Sequence, residues 1–446
     1  MTGETTPRSG GQPDSAQNQS GQGEVRADGH RDQAQDAARG DTAQADVSAG
    51  APDAEGRNIW RHVVALTSSK SADGLVDPKL VLSWLLSTLG AGAFWIGALV
   101  PVREAGALLP QLALAGRLKA MQYRKWAWVA GALGQAASVA AIVLAALTLQ
   151  GDAAGGVIVG ILAVLALSRS VCSVSYKDVL GKTVRKRQRG QTMGKASTAA
   201  AVTVIVFAGI LMALDGQKYG LVIGALVLAA LLYALAGFVM AQVEEGASDA
   251  GEADGIVASL RLLLDRPQLR LFIMVRALLV GSALAPPYLV MLAGGGGVFE
   301  QLGALVLASA LGALASSYVW GWLSDRSARL VLVWSGLSGA AALAVALMVG
   351  SAGGVWGMPV VLFGLMVSYH GVRQGRSTYL VDMADENDRA AYTAVSNTAI
   401  GAYLLGVGAL SAGLATVSVP LVIGVFAVMC CAGGALALKL EEVQHA

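Results

Sequence analysis

From Trp126 to Leu440 the chain repeats one pattern: an apolar run of about twenty residues, a short polar connection, then another apolar run. The runs are Trp126–Leu149, Gly156–Tyr176, Lys195–Leu214, Gly220–Val243, Leu271–Ala293, Leu302–Trp322, Leu330–Val349, Val360–Tyr379, Thr393–Ala415 and Pro420–Leu440. A helix satisfies its backbone hydrogen bonds internally, so each run of this length reads as a membrane-spanning helix. Composition agrees. Hydrophobic residues make up 55% of the 446, and mean hydropathy is +0.58. Charged residues make up 14%, against about 25% in a typical soluble domain. That excludes a water-soluble globule. The three cysteines, Cys172, Cys430 and Cys431, lie in apolar runs. They match no metal or disulfide spacing and read as small membrane-buried side chains.

Two further spans are expected upstream, in a tight space. Leu80 to Arg117 must hold two crossings and a turn. Proline suits the first turn of a helix. Pro101 therefore divides the stretch into helix 1, about Lys79–Ile96, and helix 2, about Pro101–Leu118. The total is twelve transmembrane helices in an all-α membrane protein. Residues 1–75 are different material, rich in Gly, Gln, Ala, Asp and Ser. They lack the apolar surface that offsets conformational entropy and are expected to form a disordered cytoplasmic tail. Around Ile59, Trp60, Val63, Val64 and Leu66 the tail reads either as a helix on the membrane surface or as a partly ordered linker. No cleavable signal is visible ahead of the first apolar run.

The net charge of +2 hides a segregation. One set of connections carries Arg117, Lys119, Arg124, Lys125, Lys182, Arg185, Lys186, Arg187, Arg189, Lys195, Arg261, Arg266, Arg270, Arg326, Arg329 and Arg389, whereas the opposite set carries Arg103 and Lys218. This alternation predicts that the basic loops and both termini are cytoplasmic. The polar segment 244–267 reads as a cytoplasmic linker between two six-helix bundles, 76–243 and 268–446.

The halves share a motif. Gly321-Trp-Leu-Ser-Asp325-Arg326-Ser-Ala-Arg329 aligns with Gly116-Arg-Leu-Lys-Ala120-Met-Gln-Tyr-Arg124. Arg189-Gly190 and Arg389-Ala390 form a second pair, ahead of helices 5 and 11. The Gly-x-Leu-x-Asp-Arg-x-x-Arg run, with Arg169 in helix 4, resembles the loop signature of the major facilitator superfamily of bacterial transporters. The likeness covers about Pro78 to Leu440. It departs at Ala120, where an Asp is usual, and at Cys172, Ser173 and Ser175, where glycines are usual. The resemblance implies a secondary transporter that works by alternating access, in a bacterial inner (plasma) membrane. It implies a cytoplasmic gate at Gly116, Arg124, Arg189, Gly321, Asp325, Arg326, Arg329 and Arg389. Loop charges can also simply set topology, and that reading stays open.

Charges inside spans are costly and mark function. Arg169, Arg276 and Arg373 lie in apolar runs, and His370, Arg373 and Arg376 share a face of helix 10. Embedded cations outnumber acids, which points to an anionic substrate bound by Arg169, Arg276, Arg373 and His370. Glu104, expected near the outer end of helices 1 and 2, and His370 are the candidates for proton coupling. No mid-helix Asp or Glu stands out beside them, so facilitated diffusion stays open. Pro286-Pro287 should kink helix 7. No nucleotide loop, metal cluster or nucleophile–base pair is apparent, so an enzyme is not expected. The expected partners are a small-molecule substrate, protons and lipid, with no nucleic acid, no cofactor and a monomeric state. A multidrug-type efflux transporter and a transporter-like membrane sensor are the alternatives.

Overall fold

A computed structural model describes residues 52–214, 218–247, 266–293, 298–324, 326–350, 354–384 and 389–443. The chain divides after Gly56 into two compact units. Of the first, the opening residues of a helix are described; the second, Arg57–Ala446, carries everything below. The described structure is helical: α1 (Pro52–Leu75), α2 (Val81–Thr88), α3 (Ala93–Leu108), α4 (Gln111–Lys119), α5 (Lys125–Thr148), α6 (Gly151–Thr183), α7 (Lys186–Ala213) and α8 (Lys218–Ala241). There follow α9 (Pro267–Leu279), α10 (Gly281–Leu284), α11 (Pro286–Ala293), α12 (Val298–Ser324), α13 (Ala328–Val349), α14 (Gly354–Met383), α15 (Arg389–Ala415) and α16 (Val419–Ala437).

Among the described residues, nine helices are long and apolar enough to cross a membrane. They correspond to nine of the apolar runs read from the sequence, with α9 to α11 forming one span, Pro267–Leu292. Their outward faces are apolar: Leu144, Leu231, Phe238, Leu410 and Val428 are all strongly exposed. So much exposed apolar surface is unstable in water and natural against lipid. The double proline falls where it was expected. Pro286 and Pro287 open α11, and α10 stops at Leu284, because proline lacks the donor needed to continue a helix.

The start of the chain corrects the sequence reading. Pro52–Leu75 is a helix, not a disordered tail, and Ala65, Ala72 and Leu75 are buried in the core. Residues 1–51 lie outside the described residues. The proposed helix Lys79–Ile96 is interrupted by a turn, and Pro101 lies inside α3 rather than at its start. The turn falls at Gly90, whose φ of 76° suits glycine. It is fastened to α6: Gly151 N–H donates to the Leu89 carbonyl at 2.8 Å, and Gly92 N–H to Asp152 Oδ1 at 2.8 Å. Pro78 separates α1 from α2, and Asp77 repairs the gap. Its Oδ1 accepts from Lys79 N–H at 3.1 Å and its carbonyl from Leu82 N–H at 3.1 Å, which holds the turn between the two helices.

The two copies of the repeated motif occupy like positions. Gly116 lies near the end of α4 and Gly321 near the end of α12, each just before a short connection to the next helix. In packing, α5 lies between α6 and α8, while α13 lies between α14 and α16. Two long seams join distant parts of the chain, α3 with α15 and α7 with α12. The first seam depends on Gly408. A Cβ there would lie 2.2 Å from the Pro101 ring. Along the same seam Gly97 meets Ala412 and Gly401 meets Leu109, while on the second Gly303 meets Met212. At these glycines α3 packs closely against α15, and the end of α7 against the start of α12. Gly190, Gly194 and Gly321, near the other ends of α7 and α12, face open space.

Candidate functional site

The centre of the bundle is charged, and an acid missed in the sequence organises it. Asp73 lies in the last turn of α1. Its Oδ1 accepts from Arg103 of α3 at 2.9 Å and from Tyr233 of α8 at 2.7 Å, and it pairs with Arg169 of α6. Four helices therefore meet at one carboxylate. Arg103 is buried and Tyr233 fully so, while Arg169 keeps part of its surface open. Arg169 is thus committed to an acid. Arg103 is not in an outer loop, as its place in the sequence suggested, but inside α3.

A second group lies beside the first. Lys79 is buried, with its ammonium 3.4 Å from the centroid of the Tyr369 ring on α14. This cation–π contact links the α1–α2 break to α14. Glu104 lies in the body of α3, not in the first turn of a helix that starts at Pro101. The charges acting on it are Lys79, Arg103, Arg376 and Arg373. His370 stands edge-on to Tyr369, with ring centroids 5.1 Å apart, and feels the charges of Lys79 and Arg373.

A small cavity of about 40 Å³ opens among α9, α10, α14 and α15, with Arg276, Arg373, Arg376 and Tyr369 in its wall. Leu279, Val280, Val372 and Ile400 supply the apolar part. Arg276 is 5% exposed. Its terminal nitrogens donate to Ser396 and, at 3.1 Å, to Asn397 Oδ1, both neutral groups. Its Nε is buried without a hydrogen-bond partner. Among the described residues the charge that acts on it is Arg376, of like sign. Such a group is costly to bury unless an anion answers it. The structure therefore brings Arg276, Arg373 and Tyr369 to one cavity, with His370 beside it, and assigns Arg169 to the Asp73 cluster.

The residues of the loop motif have local partners. Arg124 pairs with Asp178 at 2.8 Å and donates through Nε to the Leu118 carbonyl at 3.1 Å. Arg189 donates to the carbonyls of Val184 and Gly181, closing the end of α6. Arg326 stacks on Trp322 at 3.8 Å, and Arg329 pairs with Glu442 at 3.4 Å. Each of these partners lies on its own side of the 244–267 segment. Asp325 is outside the described residues, and so are the surroundings of Gly116 and the side chain of Arg389.

Glu244 and Glu245, also missed in the sequence, tie this region together. The buried Glu245 carboxylate accepts from the backbone N–H groups of Arg124 and Lys125 at 3.1 and 2.8 Å, and pairs with Lys182 at 3.1 Å. It thereby answers the free donors and positive dipole end of α5. Glu244 pairs with Arg61 at 3.0 Å and Arg57 at 3.6 Å. The Arg61 hydrogen bond, helped by the charge of Arg57, holds the Glu244 carboxyl below its usual range.

Long apolar helices bundled around a buried charged centre form a fold that solved membrane transporters share. The chain is similar in structure to a point mutant of the nucleoside transporter NupG, with a TM-score of 0.65 and 12% identity, over 86% of this chain and 97% of that one. It is also similar to a POT family transporter solved in complex with 5-aminolevulinic acid, with a TM-score of 0.64 and 10% identity, over 87% of this chain and 96% of that one. No family model matches the sequence. No curated protein matches it either. The likeness is one of fold, and the protein is a multi-pass membrane protein of that fold.

Proposed function

We propose that this chain is a secondary transporter that moves a small organic anion by alternating access. The observation that carries the reading is Arg276, a buried cation with an unpartnered Nε and neutral hydrogen-bond partners, in the wall of a cavity shared with Arg373 and Arg376. Arginine stays charged when buried and holds a carboxylate with two bonds. Leu279, Val280, Val372 and Ile400 give the cavity an apolar side that suits the hydrocarbon part of such an anion once the site opens around it. The structural relative bound to 5-aminolevulinic acid is a precedent for a small organic acid in this fold.

In this reading α1 with α2, α3 with α4, and α14 add three crossings to the nine, giving twelve in two six-helix halves. Basic connections face the cytoplasm, as the positive-inside rule requires. The end of the bundle where Gly97 meets Ala412 and Gly303 meets Met212 is then the outer, sealed end, and the structure corresponds in this reading to an inward-facing state. Glu104, amid four cations, is the proton-coupling group; gain or loss of its charge changes the balance of the centre. The loop-motif arginines, freed from local partners, form the cytoplasmic gate in the opposite state. The test is uptake of labelled organic anions into proteoliposomes, with and without a pH gradient. Saturable uptake of a carboxylate, lost in Arg276→Gln, is expected. Transport of neutral or cationic solutes alone, unchanged in that variant, would falsify the reading.

A further inference from the structure

A line of hydrogen bonds leads from the cavity to the sealed end. Arg276 Nη2 donates to Asn397 Oδ1 at 3.1 Å, Asn397 Nδ2 to Gln111 Oε1 at 3.0 Å, and Gln111 Nε2 to the Ala107 carbonyl at 2.9 Å. The line passes from α9 through α15 and α4 to α3. Every bond points the same way, with a full positive charge at its head. Aligned amides polarise one another, so a charge at the head strengthens each bond that follows. Beyond Gln111 lies the α3–α15 seam, where Gly401 meets Leu109 and Gly408 meets Pro101. The Asn397–Gln111 bond joins segments 286 residues apart.

We propose that Arg276 senses the bound anion and that Asn397 and Gln111 pass its occupancy to the α3–α15 seam. This rests on the anion reading of the cavity. An anion in the cavity draws the guanidinium toward it, takes up the unpartnered Nε and neutralises the charge. The bond to Asn397 then weakens, the polarised line loses its head charge, and the tie across the seam loosens. Ligand binding thereby lowers the cost of opening the sealed end. Asn397 is a positioning residue here: it does not line the cavity, and it acts through Arg276 on one side and Gln111 on the other.

The seam has a natural reporter position. Ser411 is 6% exposed and hydrogen-bonded to Tyr288 at 3.1 Å. Ser411→Cys is introduced into the full chain with Cys172→Ala, Cys430→Ala and Cys431→Ala, and its rate of maleimide labelling is followed in proteoliposomes. Benzoate, a carboxylate on an apolar ring, is the probe. Its binding is followed separately by the thermal shift of the purified protein. Benzoate is expected to raise labelling about fivefold, the effect of losing one hydrogen bond. Asn397→Ala and Gln111→Ala should each raise labelling by a similar factor without benzoate, and the double variant no further. Benzoate should still shift the melting of Asn397→Ala but no longer change its labelling. Equal benzoate-driven increases in the wild type and in Asn397→Ala would overturn the relay while leaving the anion site intact. A wild type that benzoate neither stabilises nor opens, alongside an Asn397→Ala that still labels faster, would overturn both the anion reading and the sensing role of Arg276.

Discussion

Asp73 and Arg103 stand 2.9 Å apart, and this pair joins the end of α1 to the middle of α3 at the centre of the bundle. Arg169 and Tyr233 reach the same carboxylate from α6 and α8. One side chain thus fixes the relative positions of four helices. Such a pair need not stabilise a protein more than apolar packing does, but removing one member leaves the other charge stranded.

Asp73→Asn strands both Arg103 and Arg169. The loss in stability should be about 3–5 kcal/mol, the cost of breaking a buried pair. Thermal unfolding of the purified variant measures it. Adding Arg169→Gln should recover part of the loss, because one stranded charge goes with it. A variant that melts like the wild type would mean that water in the centre already screens the cluster.

Truncation separates α1 from what precedes it. Deleting residues 2–51 should leave folded protein in the membrane fraction. Deleting residues 2–75 should remove it, because the second cut takes Asp73 and the buried Ala65, Ala72 and Leu75. Recovery of folded protein after the longer deletion would show that α2 to α16 assemble without α1.

This contrast explains what could be read in the sequence. The helices from α5 onward present broad apolar faces, so their runs were plain. α1 was not, because Arg57, Arg61, His62, Lys70 and Asp73 interrupt its apolar residues. Those groups have partners elsewhere in the fold: His62 with Thr183 at 2.7 Å, Lys70 with Ser197 at 2.6 Å, Arg61 with Glu244 at 3.0 Å. A helix turned toward polar partners on all these sides has an average hydropathy like that of a tail. The readable signal was local: Leu75 and Val76 lie between two acids just ahead of Pro78. Arg276 and Arg373 were recognisable as charges in apolar runs. The pairing of Arg169 was not, since its partner lay in the stretch read as disordered.

Orientation follows from labelling. Ala153 lies exposed in the first turn of α6, and Arg187 lies exposed in the first turn of α7. A cysteine at Ala153 should react with an impermeant thiol reagent in intact cells, and one at Arg187 only after permeabilisation. The reverse pattern would invert the proposed topology and make the sealed end the cytoplasmic one.

Gly408→Ala should force the α3–α15 seam apart, since its new methyl would meet the Pro101 ring at 2.2 Å. Overpacking of this kind costs about 1–3 kcal/mol. Faster labelling of Ser411→Cys, with a lower melting temperature, is expected. A companion variant, Gly413→Ala, adds a methyl that meets nothing within 4 Å and should change neither. Unaltered labelling in Gly408→Ala would show that the seam is not what seals this end.

Glu104 offers the sharpest test of coupling. Lys79 and Arg103 act on it from its own side of the 244–267 segment, and Arg373 and Arg376 from the other. Taking up a proton there removes one negative charge from a group of four cations and so strengthens the pull on an anion in the cavity. Release restores the balance and lets the anion go. Glu104→Gln fixes the neutral condition. It should abolish accumulation driven by a pH gradient yet keep exchange of labelled for unlabelled substrate, which needs no net proton movement. His370→Gln, which alters the other candidate, should retain both activities. Loss of gradient-driven accumulation in His370→Gln, with Glu104→Gln unaffected, would move the coupling role to the histidine. Loss of exchange as well as accumulation in Glu104→Gln would instead make Glu104 part of the substrate site.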